Sequence, residues 1–103
     1  MGKPKYDGVI EAVHYDTSGQ IKWVRAYLRH GVIFSDRVLM DRKSLIDQVQ
    51  AGKKFLTGKR VPRMGGTFEV SSRVQIVWSN NQDFLITGDI QSERDHLDNV
   101  PIL

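Results

Sequence analysis

Cysteine is absent from the 103 residues of this chain. That excludes a disulfide framework, a thiolate metal site and a cysteine nucleophile. It also favours a reducing compartment, since small secreted domains commonly need covalent staples. Proline is scarce: Pro4, Pro62 and Pro101 mark the N-terminal lead, one loop and the tail. No apolar run approaches the ~18 residues that a membrane-crossing helix needs. The opening MGKPKYDG carries no signal-peptide-like apolar stretch, and Tyr6 stands where the myristoylation pattern asks for Ser or Thr. The expectation is a cytoplasmic protein without a membrane partner. Internal repeats, low-complexity tracts and linkers are missing as well.

Catalytic signatures are also lacking. The three histidines, His14, His30 and His96, fit no HExxH or H-x₃₋₅-H spacing. There is no GxSxG elbow and no pair of carboxylates in an apolar setting. GKR at 58–60 lacks the phosphate-loop spacing GxxxxGK[ST]. His96 lies among Glu93, Asp95 and Asp98, a set that can hold a divalent ion but is more simply an exposed acidic tail. These gaps predict a non-enzymatic protein with no cofactor and no metal.

What is present is one ordinary domain, 1–103, with 40% apolar and 26% charged residues. The net charge of +3 is unevenly placed. Residues 1–63 hold thirteen Lys or Arg against six Asp or Glu, a net +7, whereas residues 64–103 hold two against six, a net −4. A basic body with an acidic C-terminal tail at 89–103 suits a polyanion partner, or an attraction between the two ends within or between chains.

Two β-like runs open the chain, YDGVIEAVHY (6–15) and QIKWVRAYLRHG (20–31), joined by DTSG (16–19). Asp16 can bond its own downstream backbone and Gly19 accepts positive φ, so a hairpin is predicted. Gly8 suggests a bulge or bend. VIFSDRVLM (32–40) is interrupted at Ser35-Asp36 and reads as bent or as two short strands. The period then changes: Leu45, Ile46 and Val49 share one helical face. Asp41 is a plausible N-cap, Met40 and Leu45 form a staple, and Gly52 sits at C′, giving a short helix at about 42–51. KKFLTG (53–58), TFEV (67–70), RVQIVW (73–78) and DFLITG (83–88) are further strands, with SNNQ (79–82) as a second hairpin turn and one helical turn starting at Ser92. The whole is mostly β, a small antiparallel β-barrel. Its opening order is that of an OB-fold, and the extra strands fit an SH3-like barrel as well.

Two features carry functional meaning. Along the second strand, Val24, Ala26 and Leu28 suit a core, while Ile21, Trp23, Arg25, Tyr27 and Arg29 take the other face. Alternating rings and guanidinium groups are what a single-stranded nucleic acid uses, bases on rings and phosphates on cations. The same alternation serves a protein partner or a second copy of this chain, or packs against the chain itself, with Arg25 and Arg29 paired to Glu69, Asp89 or Glu93. The second feature is AGKKFLTGKRVPRMGG (51–66), with five Lys or Arg and no acid. Its loop portion brings Lys59, Arg60 and Arg63, and Gly58, Gly65 and Gly66 would let the backbone come close to a ligand. The expected site is therefore Trp23, Arg25, Tyr27 and Arg29 with Lys59, Arg60 and Arg63, taking RNA or single-stranded DNA, or else docking a protein.

Overall fold

The computed structural model describes residues 6–31, 33–61, 68–79, 81–87, 95–97 and 100–103. Within them lie β1 (Gly8–Tyr15), β2 (Ile21–His30), β3 (Ile33–Phe34), β4 (Val38–Asp41), α1 (Arg42–Gln50), β5 (Phe55–Arg60), β6 (Phe68–Ser79) and β7 (Gln82–Thr87). The strands make one strongly curled, barrel-like sheet in the order β3-β2-β1-β5-β6-β7, with β4 also paired to β2. The helix described is too short to cross a membrane.

Local chemistry accounts for the connections. Asp16 accepts from the backbone N–H of Ser18 and Gln20, and Gly19 takes φ +88°, so β1 and β2 close as a hairpin. Asp41 caps α1 by accepting from Ser44 N at 2.8 Å, and Gly52 ends it at φ +92°. Asn81, at φ +63°, turns β6 into β7. The interrupted run at 32–40 becomes β3 and β4. The expected helical turn at Ser92 lies outside the described residues.

Three expectations change. First, the sheet is not wholly antiparallel: β1 and β5 run parallel, Gly8 to Ile10 beside Phe55 to Thr57. The path through β2, β4 and α1 is the long crossover that a parallel pair requires. Second, Gly8 marks no bulge. A Cβ there would meet the ring of Phe55, so the glycine admits a core side chain. The bulges fall at Glu11 on β1 and Lys22 on β2, where the pairing skips a residue. Third, the two runs expected at 67–70 and 73–78 are joined, from Phe68 on, in one strand, β6, whose irregularity at 71–72 is held by buried Thr57 bonding both Ser72 N and Ser72 O.

One face of the sheet and α1 enclose the core, with Ile10, Val13, Val24, Ala26, Leu45, Phe55, Val74 and Leu85 at its centre. The C-terminal segment joins it. Asp95 to Leu97 lie along β7, Ile102 pairs with Val13 of β1, and Leu97 and Val100 enter the core. These residues bridge the two ends of the curl. Asp95 is central: its carboxylate, 2% exposed as a residue, accepts from Ile21 N at 2.7 Å, Leu85 N at 2.9 Å and Arg42 Nε at 2.8 Å. It is not part of an exposed acidic surface. Its neighbours Glu93 and Asp98 lie outside the described residues; among the described residues no group of three or more His, Cys, Asp or Glu is placed to hold a metal.

Candidate functional site

The bulge at Glu11 decides what the second face of the sheet presents. In the β1–β2 ladder, Val9 lies opposite Tyr27, Ala12 opposite Arg25 and His14 opposite Trp23, and opposite residues share a face. The extra residue, Glu11, is aimed among them. Tyr27 donates its hydroxyl to Glu11 Oε2 at 3.0 Å. Arg25 Nε lies 2.7 Å from Glu11 Oε1, and Arg37 Nε lies 3.3 Å from the same oxygen. The Arg25 contact is an ion pair without hydrogen-bond alignment. Burial, and then the bond to Glu11, push the Tyr27 hydroxyl above its ordinary value of 10.0.

Beyond Tyr27 the face is aromatic. Phe68 packs on Tyr27 with ring centroids 5.0 Å apart, and Phe34 meets Phe68 at 4.8 Å. Arg60 lies over the Tyr27 ring at 4.4 Å and donates to Ser35 O, with Asp36 3.9 Å away. Cation–π contact and the apolar stem hold this guanidinium flat on the sheet. At the other end, Trp23 stacks on His14 with centroids 5.1 Å apart and an interplanar angle of 19°. His14 Nδ1 is 2.7 Å from the carbonyl oxygen of Leu103. A cleft of about 560 Å³ opens here, lined by Glu11, Arg25, Gly58, Val70 and Pro101 and by the Lys59–Glu69 pair.

Of the sequence-predicted residues, Trp23, Arg25, Tyr27 and Arg60 come together on this face. Tyr27 is 3% exposed, so its ring is packing rather than platform. Arg29 is turned to the strand's end. It pairs with Asp7 at 2.6 Å and donates to Tyr6 O and Gly31 O. The N–H of Lys54 and then Arg29 hold the Asp7 carboxyl below its ordinary 3.8. Ile21, expected on this face, belongs to the core, because the bulge at Lys22 flips the alternation. Lys59 and Arg60 are not in a loop: they extend β5, opposite Glu69 and Phe68. They point to opposite sides of the strand. Gly58 serves the close approach of β6, since a Cβ there would strike the backbone of Glu69. Arg63, Gly65 and Gly66 lie outside the described residues.

Sequence reading missed Glu11 and Arg37. Glu11 looks like the polar half of an alternating strand, and only the ladder shows it as a bulge. Arg37 sits in a short connection with no periodicity to place it. A comparison with protein-family models, with curated proteins and with solved structures returns no match to this chain.

Proposed function

We propose that the chain acts by binding rather than by catalysis, and that the Trp23 face takes a single-stranded nucleic acid, RNA or DNA, in a cytoplasmic setting. The observation that carries this reading is the gathering of Arg25, Arg37 and Arg60 on one face with the Trp23 ring, around the carboxylates of Glu11 and Asp36. A guanidinium has five N–H donors. The Arg25 and Arg37 side chains keep 36% and 57% exposure beside Glu11, so their guanidinium groups can reach phosphate oxygens. Trp23 is the ring on which a base would stack, already backed by His14. The cleft beside Glu11 gives a neighbouring base or sugar room to enter. A protein partner or a second copy on this same face is the competing use of the same residues.

Fluorescence anisotropy with labelled single-stranded RNA and DNA tests it across a salt series. Affinity is expected to fall linearly on a log–log plot, with a slope of about −0.7 per phosphate neutralised. Arg37→Gln should lower that slope by about one phosphate's worth, since its side chain is 57% exposed and its loss leaves the core intact. No binding at low salt would remove the nucleic-acid reading and leave the protein-docking one.

A further inference from the structure

We propose that β4 is a dimerisation edge, at which two copies of this chain pair antiparallel about a twofold axis at Leu39. This does not depend on the nucleic-acid reading. β4 hydrogen-bonds to β2 along one side, and among the described residues no strand pairs with its other side. Natural sheets guard such edges with charges, prolines or bulges, because unpaired N–H and C=O groups invite another strand. Here the edge instead presents Leu39 at 66% exposure and Val38 at 37%.

The occupant follows from the charge pattern of the strand and its lead-in, Arg37-Val38-Leu39-Met40-Asp41. Centring an antiparallel pair on Leu39 sets Leu39 against Leu39 of the second copy and Arg37 against Asp41 of the second copy, twice by symmetry. Shifting the centre by one residue, to Val38, loses both opposite-charge pairs. The faces agree as well. Leu39 lies opposite Arg25 and Asp41 opposite Trp23, so residues 37, 39 and 41 project on the Trp23 side of the sheet. The apolar contact and its two flanking ion pairs therefore form on one surface. Arg37 is 57% exposed beside its 3.3 Å contact with Glu11, so its side chain can turn from Glu11 to Asp41 of the second copy. Because a pair of this kind keeps like faces together, the dimer would carry two Trp23 faces side by side on one continuous sheet.

A single short strand buries little area, so the association is weak and concentration-dependent. Sedimentation velocity without nucleic acid, from about 10 µM to about 1 mM, covers the range such an interface calls for. The wild type should pass from monomer to dimer. Leu39→Asp places two carboxylates opposite each other on the axis and should raise the dimer dissociation constant at least about tenfold, with circular dichroism unchanged. Arg37→Glu, which sets like charges against Asp41, should raise it about threefold or more. Trp78→Ser removes an equally exposed apolar group on β6 and should change nothing. A wild type that stays monomeric throughout, or a dimer lost in Trp78→Ser but kept in Leu39→Asp, would overturn the proposal.

Discussion

Asp95 and Glu11 are both carboxylates drawn largely out of water, and both meet arginine, yet they do opposite things. The Asp95 side chain is fully buried and its acceptors are filled from three elements: the start of β2, the middle of β7 and the first residue of α1. It ties the C-terminal segment across the gap in the sheet. The Glu11 side chain keeps 13% exposure in the lining of a cleft and is shared by Arg25, Arg37 and Tyr27. Its arginines are only partly used. A carboxylate saturated by backbone donors holds a fold, whereas one outnumbered by guanidinium groups leaves a surface positive.

Removing Asp95 should do the greatest harm. Asp95→Ala strands Ile21 N, Leu85 N and the Arg42 guanidinium, and should cost about 3–5 kcal/mol in urea unfolding. Glu11→Gln should cost far less, about 1 kcal/mol, because Arg25 and Arg37 can turn to water. It should also tighten single-stranded RNA binding severalfold at low salt, by freeing one cationic charge. If Glu11→Gln instead unfolds the chain as Asp95→Ala does, the contrast between the two carboxylates fails. Arg60→Ala removes the contact on Tyr27 and should lower stability by about 0.5–2 kcal/mol, seen as a shift in the urea midpoint at unchanged slope.

The smallest effect is on pH. Asp7 titrates lower in the folded chain than in the unfolded one, so its contribution is complete above about 3.8 and is lost as pH falls below that value. Asp7→Asn should flatten the acid side of the stability profile without moving its neutral plateau by much more than the lost ion pair. Urea midpoints taken at about pH 6 and about pH 3 would show this.

What could be read from the residues was local. The hairpin turn at Asp16 and Gly19, the Asp41 cap, the Gly52 stop and the Asn81 turn each depend on a side chain bonding backbone within four residues or on a single residue at positive φ. The small curled sheet with one helix followed from those pieces. What could not be read was non-local. The parallel contact of β1 with β5 joins residues more than forty apart, and nothing in either run announces its partner. The two bulges shift the period by one residue each, which sends Ile21 inward against strict alternation and takes Glu11 out of the ladder. Arg60 looked like loop because Pro62 follows closely, but pairing with Phe68 carries β5 through it. The candidate site was thus half legible: Trp23, Arg25 and Arg60 share a face, while Arg29 leaves it for Asp7 and Tyr27 is buried beneath it.

The central claim, that Trp23 receives a base, is tested most directly by its own fluorescence. The chain has two tryptophans, and Trp78→Phe leaves Trp23 as the single emitter. Titration with single-stranded oligouridine at low salt should quench that emission, and added salt should restore it as the strand is released. Binding detected by anisotropy with Trp23 emission unchanged would contradict the account, placing the nucleic acid elsewhere on the molecule.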